Sequence, residues 1–137
     1  MSKLSTITKK QNVGTVREKP HILLGGELTD LNTYINAERR NRFIGAKIKK
    51  QNTDGVSFET TGAPKVITYP VTVVITWYTK NERKDPDNVA FSKKFILDGL
   101  VNNGTLRGDT RKEIAGFIDY FITDKEEPRV EINFIPA

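Results

Sequence analysis

The chain has no cysteine and a single histidine, His21, among its 137 residues. Without cysteine there is neither a disulfide framework nor a thiolate metal site. One imidazole excludes a histidine-rich metal centre and any mechanism that needs two histidines. No apolar run approaches the ~20 residues of a membrane-crossing helix. The opening segment MSKLSTITKKQNVG carries lysines but no apolar h-region, so no signal peptide is expected and a cytoplasmic location is. Internal repeats and low-complexity tracts are also missing.

What is present is the balance of a globular domain. Hydrophobic residues are 36 % and charged residues 28 %, which is too apolar for a disordered chain. A chain of this length buries roughly two thirds of its unfolded surface, enough for one core. One domain over residues 1–137 is expected. The net charge of +5 is unevenly spread. Residues 1–84 hold 15 Lys/Arg against 7 Asp/Glu, and residues 85–137 hold 7 against 10. A basic half joined to an acidic half suits one surface that attracts a polyanion and another that gathers carboxylates. On composition alone, an unevenly charged solvated surface is the simpler account, so the motifs must decide.

Residues 1–19 are polar and aperiodic, which predicts partial disorder or a short first strand. His21-Ile22-Leu23-Leu24, stopped by Gly25-Gly26, reads as a strand. Thr29 or Asp30 caps a helix expected to run to about Lys50. Its apolar residues Leu31, Tyr34, Ile35, Ile44 and Ile48 spread over a broad arc, so the helix either touches two surfaces or breaks near Gly45. Gly55, Gly62 and Pro64 mark a loop. Lys65 to Thr79 is rich in Val, Ile, Thr, Tyr and Trp and gives the strongest strand signal, with Pro70 at a strand start or bulge. Asn81 to Lys84 is a charged turn. A helix is predicted from about Val89 to Asn102, capped by Asp87 or Asn88 and ended by Gly104. Glu113–Thr123 and Arg129–Ile135 read as two last strands, with Asp124–Pro128 as a hairpin turn between them. Trp77, Tyr78, Phe91, Phe95 and Phe117 are expected in or beside the core, and His21 is read as structural. The order predicts an α/β (α+β) fold: a small mixed sheet with two main helices.

The informative segment is Arg83-Lys84-Asp85-Pro86-Asp87-Asn88. In an extended segment, residues i and i+2 share a face, and Pro86 biases Asp85 away from helix. Two carboxylates facing one way repel, and a hard divalent cation with oxygen ligands relieves that repulsion. On the following helix, Lys94 and Asp98 are expected near the azimuth of Asp87, and Lys93 closer to the apolar face. Gly104 and Gly108 fit a return loop able to bring Asp109 back to the helix start. Each acid alone has an ordinary structural use as a cap, a solvated helix flank or a turn residue.

The combination resembles the RusA family of Holliday-junction resolvases, small phage and prophage endonucleases. The carrying residues are the DxDN element Asp85-Pro86-Asp87-Asn88, then Lys94, then Asp98-Gly99-Leu100, Gly104 and Asp109. The segment ELTDLNTYINAERRNRFIGAKIKKQ also resembles the basic helical region of one branch of the family. There are two departures. The family lysine stands four residues after the second Asp, where this chain has Phe91. The doubled final Asp is here Gly108-Asp109. The resemblance implies a RusA-like domain and metal-dependent phosphodiester hydrolysis at four-way DNA junctions, in recombination and repair. It implies Asp85, Asp87 and Asp109 as ligands of Mg²⁺ or Mn²⁺, and Lys94 at the scissile phosphate or the attacking water. Asp98 is a supporting or structural candidate only. Arg39, Arg40, Arg42, Lys47, Lys49 and Lys50, with Arg83 and Lys84, would meet junction backbone. It implies a homodimer, with the apolar arc of residues 31–48 as one candidate interface, and a nucleoid-associated protein of phage or prophage origin. The alternative is a junction- or DNA-binding protein with impaired cleavage.

Overall fold

Alternation of Val, Ile and Trp with Thr along the chain builds the central strand. The structure, a computed structural model, describes residues 20–137; the expectations for residues 1–19 lie outside them. In chain order the elements are β1 (Ile22–Gly25), α1 (Leu31–Arg40), α2 (Arg42–Glu59), β2 (Val71–Thr79), α3 (Pro86–Ala90), α4 (Lys93–Asn102), β3 (Ile114–Thr123) and β4 (Arg129–Pro136). The sheet order is β1-β4-β2-β3. β2 runs parallel to β3, and antiparallel pairs join β2 to β4 and β4 to β1. This is the expected α+β fold with a mixed sheet. None of the described helices is long and apolar enough to cross a membrane.

Period 2 sorts the faces. Val71, Val73, Ile75 and Trp77 of β2 are buried, together with Val130, Ile132 and Phe134 of β4 and Ile22 and Leu24 of β1. They form one cluster with Val56 of α2 and Ile96, Leu97 and Leu100 of α4. Helices therefore cover one face of the sheet. The other face carries Thr72, Val74, Thr76, Ile118 and Tyr120, half-buried or exposed.

The helical region differs from its expectation in two places. The break falls at Asn41, four residues before Gly45. Asn41 is extended (φ −167°, ψ 120°), and its side chain accepts from the Phe43 N–H at 2.8 Å, so it ends α1 and caps α2. Gly45 instead lets the two helices close at the corner, since a Cβ there would stand 3.1 Å from the Cβ of Glu38. Downstream, α2 runs through Gly55 to Glu59, where a loop was expected. An exposed helical glycine costs about 1 kcal/mol. Burial of Val56 against α4 offsets that, and Asn103 donates from its side-chain amide to Ser57 O at 2.9 Å and Thr60 Oγ1 at 2.7 Å, sealing the helix end.

The last two strands also depart from expectation. β3 and β4 do not form a hairpin, because β2 lies between them. Residues 124–128 instead pass over the end of β2, where the Asp124 N–H donates to Thr79 O at 2.8 Å. Phe95 is core, Phe91 is half-buried, and Phe117 is 43 % exposed on the outer strand. The Tyr69–Pro70 bond is cis and precedes β2, with a register shift between Val71 and Thr72.

The closest helix contact is at Gly99. A Cβ there would lie 2.6 Å from Val56 Cγ1 and 2.9 Å from Thr53 O. The backbone oxygen cannot yield cheaply, so Gly99→Ala should destabilise by about 1–3 kcal/mol despite its better helix propensity. Urea unfolding followed by circular dichroism measures this; an unchanged midpoint would show that α2 and α4 separate freely.

Candidate functional site

The acidic pair stands where β2 has ended and α3 begins. Asp85 is the N-cap residue of α3 (φ −67°, ψ 154°), and Pro86 takes the first helical position, where its missing N–H costs nothing. The cap thus falls on Asp85, ahead of the expected Asp87 or Asn88. Asp85 makes no side-chain capping bond, and its carboxylate is exposed. Asp87 lies in the first turn, also exposed, and its Oδ1 accepts from the Asn88 N–H at 3.0 Å. The extended stretch predicted for both aspartates ends at the first.

Asn88 ties this turn to the basic helices. Its Oδ1 accepts from the Asn32 N–H at 2.9 Å, at the start of α1. A few residues earlier, the Lys84 ammonium meets Asp30 at 2.8 Å and Glu27 at 3.6 Å. Asp30 itself caps α1 by accepting from the Thr33 N–H at 2.8 Å. Burial alone would raise the Asp30 carboxyl, but the Lys84 ammonium and Thr33 hold it below its ordinary value. The same pairing raises Lys84. Lys84 is thereby held by these two carboxylates although it remains exposed, and Arg83 beside it is exposed as well.

On α1 and α2 the exposed cations are Arg39, Arg40, Arg42, Lys47, Lys49 and Lys50. Arg39 and Arg40 close α1, and Arg42 opens α2 with its guanidinium 5.4 Å from the centre of the exposed Phe43 ring. Phe43, Lys47 and Lys50 follow at i, i+4 and i+7 on one stripe. Lys50 also pairs with Asp54 at 2.8 Å, both side chains well exposed. The apolar residues of α1 are partly covered within the chain, with Tyr34 packing on Phe91 at 5.3 Å and Phe95 at 6.3 Å between ring centres, while Phe43 and Ile44 at the start of α2 stay exposed.

Two lysines diverge on α4. Lys93 points inward, as expected, onto Asp119 at 2.7 Å and the Phe117 ring at 4.2 Å. Asp119 also accepts from Trp77 Nε1 at 2.8 Å. Trp77 is thus core, and Tyr78 lies beneath the Arg129 guanidinium, 3.7 Å from its ring centre. Lys94 points outward and pairs with Asp98 at 3.1 Å. Between α3 and α4 the chain tightens, with Ser92 N–H donating to Val89 O and Lys94 N–H to Phe91 O. Three-residue turns rotate α4 relative to α3, so azimuths counted over one uninterrupted helix do not carry from Asp87 to Lys94.

Asp109 is not brought to this site. Asp85 follows the C-terminal end of β2, and Asp109 precedes the N-terminal end of β3. Because these strands are parallel, with Val71 opposite Ile114 and Thr79 opposite Thr123, the two acids sit at opposite ends of the sheet. A nine-residue strand separates those ends by roughly 30 Å. The Asp109 loop instead neighbours Tyr69, whose hydroxyl accepts from the Arg107 N–H at 2.9 Å. Among the described residues, no three His, Asp or Glu side chains form a group able to hold a metal ion. The expected three-carboxylate site of Asp85, Asp87 and Asp109 is therefore absent from a single chain. What one chain offers a hard cation is the exposed pair Asp85 and Asp87, which fits the habit of Mg²⁺ of taking one or two carboxylates and completing its shell with water and phosphate.

The Asp109 loop is organised by Glu113, which sequence reasoning passed over. Its carboxylate accepts from the Thr110 hydroxyl at 2.6 Å, the Thr110 N–H at 3.0 Å and Arg107 Nε at 3.3 Å. A Cβ at position 108 would lie 2.9 Å from Glu113 Oε1, which accounts for glycine before Asp109. The Thr110 hydroxyl, with the Thr110 N–H and Arg107, holds the Glu113 carboxyl below its ordinary value against the opposing effect of burial. A depressed folded-state pKa contributes stability above the unfolded carboxylate range, lost as pH falls through the folded value. Glu113→Gln should therefore flatten the acid limb of the stability curve. Urea midpoints from about pH 7 to about pH 3 test this; an acid limb as steep as the parent's would clear Glu113 of the role.

No protein-family model matches this chain, and no curated protein matches it.

Proposed function

We propose that this chain is a metal-dependent endodeoxyribonuclease of the RusA type, acting as a homodimer on four-way DNA junctions in recombination and repair. The observation that supports it most is the α1–α3 junction. There the Asn32–Asn88 bond sets an exposed pair of carboxylates against the start of a helix whose far end carries Arg39 and Arg40. Ten residues of helix span about 15 Å, so acids and cations lie within reach of one stretch of nucleic-acid backbone.

In this reading Asp85 and Asp87 hold Mg²⁺ or Mn²⁺, which supplies charge stabilisation at phosphate and a water of lowered pKa. The chain's own residues do the rest. Arg39, Arg40, Arg42, Lys47 and Lys49 bind backbone without reading bases, with Arg83 beside the acids. Lys94 approaches phosphate by leaving Asp98. That pair is exposed and worth less than about 1 kcal/mol, so its release is cheap. Asp109 joins the acidic pair only from a second protomer. The alternative, a junction binder without cleavage, draws on the distance of Asp109 within one chain.

Cleavage of a synthetic four-way junction beside matched duplex, with Mg²⁺ and with EDTA, separates the two readings. Paired metal-dependent nicks in the junction alone are expected, abolished by Asp87→Asn with binding retained. Binding without nicks would establish the alternative, and neither would sink both. Mixing Asp87→Asn chains with Asp109→Asn chains then asks where Asp109 acts. Shared sites leave one intact site in each mixed dimer, so single-strand nicking returns; sites within one chain leave none.

The basic helices predict a salt signature. Replacing Arg39, Arg40 and Arg42 by Ala should weaken junction binding and lower the slope of log K against log[salt] by about 2–3, as for three lost phosphate contacts. An unchanged slope would place the footprint elsewhere.

A further inference from the structure

β3 is an outer strand with few of the devices that normally guard an edge. It runs ten residues, IAGFIDYFIT, without Pro or Lys, and nothing among the described residues pairs with its outer side. Edge strands are usually short, interrupted, bulged or charged, because a free row of N–H and C=O groups recruits another strand. The one charge in β3, Asp119, is neutralised within the chain by Lys93 at 2.7 Å. The register irregularity against β2 lies at the beginning of the strand, before Gly116, leaving the remainder regular.

The backbone alternation identifies the free groups. Asp124 donates its N–H inward to Thr79 O. Residues two apart share a side, so Asp124 and Ile122 face β2, while Phe117, Asp119, Phe121 and Thr123 turn their N–H and C=O outward. Side chains on both faces of this edge are apolar and partly uncovered. Phe117 (43 %) and Phe121 (39 %) lie on the helix side, and Ile118 (43 %) and Tyr120 (56 %) on the open side.

We propose that β3 is the self-association edge of this protein: two copies pair their β3 strands antiparallel about a twofold axis, joining two four-stranded sheets into one continuous sheet. The proposal rests on the homodimer in the preceding reading and moves its interface from residues 31–48 to β3. A second copy is the fitting occupant for three reasons. The strand is apolar on both faces and its one carboxylate is already paired, so an identical strand meets no repulsion. A twofold axis near Asp119 sets the Phe117 side of one copy beside Phe121 of the other and Ile118 beside Tyr120, matching aromatic with aromatic and aliphatic with aromatic. The area is sufficient. Four side chains that cover 150–250 Å² each when fully buried, here about half exposed, leave on the order of 400 Å² of apolar surface per copy. The strand backbone and flanking residues add to it, toward the ~800 Å² per partner of a standard interface.

The absence of cysteine makes the test direct. Single Cys substitutions at Ala115, Tyr120 and Thr123, each spin-labelled, report inter-protomer distances by pulsed electron resonance and cross-linking. Pairing through β3 predicts the shortest separation at position 120, and at positions 115 and 123 roughly 25 Å between backbones, as eight strand residues require. Sedimentation should give a dimer that the double substitution Ile118→Lys with Tyr120→Lys converts to a monomer, with unchanged circular dichroism because both side chains face outward. A parent chain that sediments as a monomer, a dimer that survives the double substitution, or labels at 120 no closer than those at 115 would each overturn the proposal. These readouts need neither DNA nor metal, so a β3 dimer that never nicks a junction would refute the nuclease reading alone. A junction-cleaving dimer joined elsewhere would refute the β3 interface alone.

Discussion

Parallel neighbours in a sheet cannot be joined by a tight turn, and the pairing of β2 with β3 therefore sends residues 80–113 across the helical face of the sheet before the chain can return. Most of what distinguishes this molecule follows from that crossover. It puts α4 over β2 and β3, where Phe95, Ile96 and Leu100 complete the core. It draws Lys93 onto Asp119, which in turn holds the Trp77 indole. It also assigns the two groups of acids to opposite ends of one chain, with Asp85 and Asp87 where the crossover departs and Asp109 where it arrives. A hairpin in place of the crossover would have placed departure and arrival side by side.

The crossover also explains which cations are used internally and which are offered to solvent. Lys84 lies at its entrance and is taken by Asp30 and Glu27; Lys93 lies over the sheet and is taken by Asp119. Arg129, on the face without helices, is taken by Asp124 and Glu131. The Lys93 and Arg129 pairs are shielded enough that removing one partner leaves a poorly solvated charge, whereas Lys84 stays exposed. Among the described residues the cations of the α1–α2 corner face no such carboxylate, apart from Lys50, and point to solvent. Charge here is thus divided between holding the fold and facing outward, a division that total composition does not reveal.

The same topology leaves β3 at the rim. Its apolar residues look like core when counted along the chain, and Phe117 was expected there. One side of a strand can be buried by helices only as far as the helices extend, and α4 ends its cover at Lys93 and Phe117. The outer strand therefore shows aromatic surface along an edge whose one charge is paired with Lys93, and among the described residues no strand covers its outer side.

Local chemistry in the sequence determined the strands over residues 22–24, 114–123 and 129–135 and most of the 65–79 run, of which residues 65–70 stay outside β2, because β-branched and aromatic residues alternating with polar ones write their own period. It determined that a helix follows the DPDN segment, though not that Pro86 opens it, and it marked Asp85, Asp87 and the run of cations as the chemically notable residues. Tertiary structure alone decided the rest. The helix over 42–59 outlasted Gly55 because packing of Val56 outweighs a local propensity of about 1 kcal/mol. The strand order placed β2 between β3 and β4, which no pattern in residues 124–128 could signal, since a hairpin loop and a crossing loop use the same turn residues. It sent Asp109 to the far end of the sheet and engaged Lys84 with Asp30 and Glu27. Spacing along a chain constrains neighbours within one element; only the pairing of distant strands says which ends of different elements meet.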